Sequence, residues 1–144
     1  MRKIIMVLMA TVVASQPALA AEIGRIKRSV GMAAIERGKE KVPTAPGVQL
    51  QSGDVLVTGK DGQISLTFID DTRFAVGPNS RVALTRYDYD RTRQTGAFET
   101  SVNRGSLAVV SGQIAKSGKD AMKVRTPTSL LGVRGTRFIV EVGK

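Results

Sequence analysis

Gln63-Ile64-Ser65-Leu66-Thr67-Phe68-Ile69-Asp70-Asp71-Thr72-Arg73-Phe74-Ala75-Val76-Gly77-Pro78-Asn79-Ser80 is the stretch whose pattern decides the fold. Ile64, Leu66 and Phe68 point one way and Ser65 and Thr67 the other, the period of two of a half-buried strand. Ile69 breaks the alternation. Asp70-Asp71-Thr72 then reads as a tight turn, after which Phe74 and Val76 resume the inward face. Gly77-Pro78-Asn79-Ser80 is a second turn, since Pro fixes φ and Gly and Asn tolerate positive φ.

Short strands between turn residues recur on both sides of this stretch. Upstream, Ile23-Gly24-Arg25-Ile26 opens the domain, and Val30 to Ile35 forms a second strand closed by a turn at Glu36-Arg37-Gly38-Lys39. Pro43 to Gly47 is a loop, and Gly53-Asp54 leads into Val55-Leu56-Val57-Thr58. Downstream, Val82 and Leu84 continue a strand, and the polar run Tyr87 to Gly96 reads as an exposed hairpin or loop. Phe98, Thr100 and Val102 alternate up to a turn at Arg104-Gly105, followed by apolar Leu107 to Val110. Only Val109 to Lys116 could hold a helical turn, and Gly112 weakens it. Met122, Val124 and Thr126 alternate up to Pro127; Thr136, Phe138, Val140 and Val142 alternate to the end. The pattern predicts an all-β domain of many short strands, either a small β-sandwich or a short β-solenoid-like domain.

Residues 1–20 read as a secretory signal peptide. Arg2 and Lys3 precede an apolar run, Ile4 to Ala14, that is too short to span a bilayer. Ala18-Leu19-Ala20 fits the small-x-small rule, with cleavage between Ala20 and Ala21. The mature chain, residues 21–144, is expected to be one domain, soluble, without a retained membrane span, and periplasmic. It has no cysteine, so no disulfide staple holds it. The whole chain carries +10, two of those charges being Arg2 and Lys3. The remaining positive charge favours anionic partners. Export and the scarcity of stacking aromatics argue against nucleic acid. Anionic envelope polymers or an acidic protein surface fit better, although the basic residues are spread rather than clustered.

Catalytic readings find no support. There is no histidine and no cysteine, which removes the commonest general base and the commonest metal ligands. No Ser-x-x-Lys occurs, and Ser80 has no identifiable base. Asp70 and Asp71 are adjacent, which suits a turn and not a carboxylate dyad. The chain reads as no enzyme, with no cofactor and no metal.

The ordered set Gly53-Asp54-x-Leu56-x-Thr58-Gly59, Phe68-x-Asp70-Asp71-Thr72-Arg73, Gly77-Pro78-Asn79-Ser80, Arg104-Gly105, Thr126-Pro127 and Gly132-Val133-Arg134-Gly135-Thr136-Arg137-Phe138 resembles the FecR domain. The resemblance covers about residues 48–142. The family's acidic turn is usually Asp-Gly-Ser or Asp-Gly-Thr; here it is Asp70-Asp71-Thr72. Founding members of the family span the membrane, bind a sigma factor in the cytoplasm and sense an outer-membrane transporter. This chain shows no cytoplasmic segment and no room for the further domain that contacts the transporter, so no sigma factor is expected as its partner.

What the resemblance implies is an exported, non-enzymatic, protein-binding or signalling module with an envelope protein partner. Two alternatives stand beside it: a domain binding peptidoglycan or another anionic glycan of the cell wall, and a self-assembling structural subunit. The signature positions Asp54, Thr58, Asp70, Asn79, Ser80, Thr126, Pro127, Gly132, Arg134, Gly135, Thr136 and Phe138 are read as fold-maintaining. Gly132 and Gly135 would allow close backbone approach. Arg134 and Arg137, whose guanidinium forks suit a carboxylate or phosphate, are candidate binding residues, as are Tyr87 and Tyr89.

Overall fold

The computed structural model describes residues 20–135 and 137–143. The signal-peptide reading falls on residues 1–19, outside the described residues, as do Thr136 of the signature and Lys144. Ala20 and Ala21 are exposed.

Among the described residues twelve strands and one short helix follow in order: β1 (Gly24–Val30), β2 (Ala33–Arg37), β3 (Glu40–Val42), β4 (Gln49–Leu50), β5 (Val55–Thr58), β6 (Gln63–Phe68), β7 (Arg73–Val76), β8 (Arg81–Asp90), β9 (Thr95–Val110), α1 (Gln113–Ser117), β10 (Met122–Arg125), β11 (Leu130–Val133) and β12 (Arg137–Val142). The domain is all-β. The strands join in the order β3-β2-β5-β8-β9-β7-β6-β1-β4, with β10 and β12 added to β9 and β11 added to β10. Pairing is antiparallel except between β9 and β10, which are parallel and joined through α1. The ladders make one continuous curled sheet, a half-barrel.

The long β9 makes the curl. Its first part pairs with β8 and β10, and its last part, Gly105 to Val110, pairs with β7 and β12. Where a turn was expected at Arg104-Gly105, the strand bends without ending. Gly105 has φ of 86°, and the pairing register shifts between Arg81 and Val82 opposite. A bulge with a glycine at positive φ lets one strand cross from one half of the sheet to the other. The halves are, on one side, β1, β4, β6, β7, β12 and the end of β9; on the other, β2, β3, β5, β8, β10, β11 and the start of β9. They are called halves A and B below.

The halves close over one core, filled by the inward residues of each strand. At its centre Phe68, Phe74, Tyr87 and Phe98 pack edge-on and stacked, with ring centroids 4.7–5.4 Å apart. Such rings supply large buried area and geometric preference together. The alternation read from Gln63 to Phe68 holds: Ile64, Leu66 and Phe68 are all buried. The segment Val30 to Ile35 is not one strand. Gly31, with φ of 66°, turns the chain between β1 and β2, and a Cβ there would come within 2.3 Å of the Asp61 carbonyl. Of the hairpin and the loop expected over Tyr87 to Gly96, the structure has the hairpin. β8 extends to Asp90 and β9 begins at Thr95, leaving a short turn between them. α1 falls in the window where a helical turn was expected, and buries Ile114 and Ala115.

Candidate docking face

The signature residues of the first part of the chain form buried polar latches. Asp70 is fully buried at the β6–β7 turn. Its Oδ1 accepts from the Tyr87 hydroxyl at 2.8 Å and the Thr72 amide at 3.3 Å. Its Oδ2 accepts from Thr72 Oγ1 at 2.7 Å and the Ile114 amide at 3.1 Å. Its own amide donates to the Tyr87 oxygen at 3.1 Å, and its carbonyl accepts from Gln113 at 2.8 Å. The carboxylate thus ties the β6–β7 turn to β8 and satisfies the Ile114 amide of α1, and the Asp70 carbonyl satisfies that of Gln113. Buried polar groups are tolerated on the condition that they are bonded, and this one is. Burial, aided by the Asp70 charge, pushes the Tyr87 phenol far above its ordinary range.

A second latch joins β5, β9 and the Gly77–Ser80 turn. Thr58 Oγ1 donates to the Gly77 carbonyl at 2.6 Å and accepts from the Ser80 amide at 2.9 Å. Ser80 Oγ accepts from the Ser106 amide at 2.9 Å. Asn79 occupies the turn with φ of 51° and donates from its amide to Gly59. A Cβ on Gly105 would lie 2.1 Å from Ser80 Oγ, so the bulge and the latch fit only together.

The third latch is an ion pair. Arg37 Nε and Nη2 each reach the buried Asp54 carboxylate at 2.9 Å, and the Gln51 amide donates to the same group at 2.9 Å. The two-pronged geometry is the strong form of the arginine–carboxylate bond. The Asp54 carboxylate holds the Arg37 guanidinium above its ordinary range. Ser80 therefore sits in a structural latch, not beside a base, and Asp70 and Asp71 do not face each other: Asp71 is exposed, with φ of 70°.

The signature residues of the C-terminal part lie at the surface. Thr126 closes the turn to Ser129, its amide bonding the Ser129 carbonyl at 2.8 Å. Pro127, Gly132, Arg134 and Gly135 are exposed, and Phe138 is half-buried against the core. With β12, Pro127, Gly132 and Arg134 border a groove of about 970 Å3. Close approach is not what Gly135 provides: a Cβ there would meet only Lys116, at 3.5 Å. Its φ of 52° is the reason for glycine.

Of the four residues read as candidates for binding, Tyr87 is buried in the core and cannot contact a partner. Tyr89 is half-buried and packs against the same core. Arg134 and Arg137 are exposed but on different segments, Arg134 beyond β11 and Arg137 at the start of β12.

The outer faces of the two halves differ in a way the sequence does not display. On half B three arginines face carboxylates, Arg81 with Glu36 at 2.8 Å, Arg86 with Asp88 at 2.9 Å and Arg125 with Glu99 at 3.4 Å, while among the described residues Lys41, Arg104 and Lys123 enter no ion pair. The Arg81 guanidinium holds the Glu36 carboxyl below the usual carboxylate range. On half A the pairing register lines up Ser65, Ala75, Ala108 and Ile139 across four strands, with Thr67, Arg73, Val110 and Arg137 in the next row. The small side chains leave a shallow concavity of about 980 Å3, with Lys27, Arg73 and Arg137 around it and Asp71 as its acidic lining residue. Among the described residues Lys27 and Arg73 enter no ion pair. Ile139, at 69% exposure, stands at the edge of this floor.

The FecR protein family matches residues 54–144, more than half of the chain and all of the latches except Arg37 and the Gln51 amide. The chain belongs to the FecR family. No curated protein and no solved structure matches it. Within this FecR domain the match begins at Asp54, the anchor of the ion-pair latch, and runs through the seam beside β12. Among the described residues no group of three acidic, histidine or cysteine side chains could hold a metal ion, and no helix is long and apolar enough to cross a membrane.

Proposed function

We propose that this FecR-family domain is an exported, periplasmic, non-catalytic module that docks an envelope protein, in a binding or signalling role, through the outer face of half A. The observation that carries the reading is the asymmetry of the two faces. Half A surrounds an apolar floor with Lys27 and Arg73, neither of them in an ion pair, whereas on half B Arg81, Arg86 and Arg125 each face a carboxylate. A partner offering carboxylates around an apolar contact would match that surface in both charge and hydropathy.

The glycan reading is less favoured by the same face. Sugars bind well against exposed aromatic rings, and here Phe68, Phe74, Phe98 and Tyr87 are all in the core. The two readings separate by experiment. Mature protein immobilised through its C-terminus is exposed to solubilised envelope, beside a K27E/R73E variant. Retention of an acidic protein by the wild type and its loss by the variant support docking at half A. Retention of peptidoglycan or lipopolysaccharide, released steeply by salt, would replace it with the glycan reading.

A further inference from the structure

Among the described residues the sheet ends at β3, β4, β11 and β12. Natural sheets blunt their edges with short or charged strands, because unpaired backbone groups invite another chain. β4 has two residues, and β3 has three with Glu40 and Lys41 exposed. β11 has four residues and no charge to fix a register. β12 is different. It is six residues long, pairs only with β9, and carries Ile139 at its centre with 69% of that residue exposed.

We propose that β12 pairs antiparallel with β12 of a second copy of this chain, about a two-fold axis through Ile139. The sequence Arg137-Phe138-Ile139-Val140-Glu141 is self-complementary in that register and in no other. Residues directly opposite in an antiparallel ladder point to the same face, so inward Phe138 and Val140 must meet inward residues. Centring on Ile139 sets Phe138 opposite Val140 of the second copy and Ile139 opposite Ile139. It also sets Arg137 opposite Glu141 twice over. Centring on Phe138 or Val140 instead places a charge against Ile139. Opposite charges across a ladder stabilise it and like charges oppose it. The neighbours of Arg137 and Glu141 on β9 are Val110 and Ser106.

The dimer would join two copies of half A edge to edge and set two docking faces side by side. Its test is separable from that of the docking face: Arg137 and Ile139 also border the concavity, but K27E/R73E leaves β12 untouched, and the dimer is read by mass and not by capture of a partner.

Sedimentation velocity of the mature chain across the micromolar range tests it. A reversible dimer is expected. R137E and E141R should each raise the dissociation constant at least about tenfold, since the two-fold axis turns both pairs repulsive at once. The R137E/E141R double variant restores both pairs and should dimerise again, which also shows that the single variants fold. A wild type that stays monomeric, single variants that dimerise unchanged, or a double variant as dissociated as the singles would overturn the proposal. Because the chain has no cysteine, crosslinking gives a second reading. I139C should oxidise to a covalent dimer and A75C, two strands inward, should not; the opposite pattern would overturn the register.

Discussion

The first and last parts of the FecR signature are built on opposite terms. Asp54, Thr58, Asp70 and Ser80 are at most 2% exposed and each bonds two or more elements. Pro127, Gly132, Arg134 and Gly135 stand in solvent beside the β12 seam. The difference teaches that one motif can serve two ends. Its early residues hold turns shut inside a core without disulfides. Its late residues shape a surface, and there only the positive φ of Gly135 makes a strict conformational demand. If this contrast is right, early substitutions cost stability and late ones do not.

The largest loss is expected at the ion-pair latch. Asp54→Ala strands Arg37 and the Gln51 amide, and should cost about 3–5 kcal/mol in denaturant unfolding. Gly105→Val adds a Cβ where Ser80 Oγ already stands and forces a β-branched residue to φ of 86°. A loss of about 3 kcal/mol or more is expected from overpacking and backbone strain combined. A melt equal to wild type for either variant would break the contrast at its strong end.

Tyr87→Phe should cost roughly 1–3 kcal/mol, because the Asp70 carboxylate loses a donor and the Asp70 amide loses its acceptor. It also carries a pH signature. The folded phenol titrates above the ordinary value of 10.0, so the folded state keeps a proton that the unfolded chain loses. Stability from this group is therefore complete below about pH 10 and falls as pH rises beyond it. Wild type should lose stability more steeply than Tyr87→Phe above that point; identical slopes would remove Tyr87 from the account. At the weak end, Gly135→Ala should cost about 1 kcal/mol from positive φ alone, and Arg134→Ala within about 0.5 kcal/mol of zero. A large loss at Arg134 would mean that the late signature is structural after all.

The fold class was legible because Gln63 to Phe68 alternates cleanly, Phe74 and Val76 resume the inward face beyond Asp70-Asp71-Thr72, and the turn residues carry their own backbone chemistry. Tyr87 was misleading for a local reason. A register shift between Ala83 and Arg86 inverts the parity of β8, so Tyr87 and not Arg86 follows Val82 and Leu84 into the core. Polar neighbours on both sides hid it. Arg104-Gly105 carried a genuine glycine signal, but a bulge and a turn ask for the same residue, and the sequence does not distinguish them. The docking face was beyond reading. It is assembled from alternate residues of β6, β7, β9 and β12, and the pairing of β12 with β9 joins residues about thirty apart. Small outward residues at Ser65, Ala75 and Ala108 were its only trace in the sequence.

The account rests most heavily on the difference between the outer faces of halves A and B. Site-specific photocrosslinking in the envelope of living cells, from a probe at Ala75 and from a probe at Thr85 on half B, tests it most directly. The account predicts one dominant acidic protein captured from position 75, absent from position 85, and lost when K27E/R73E is added. Equal capture from both positions, or none from position 75, would contradict it.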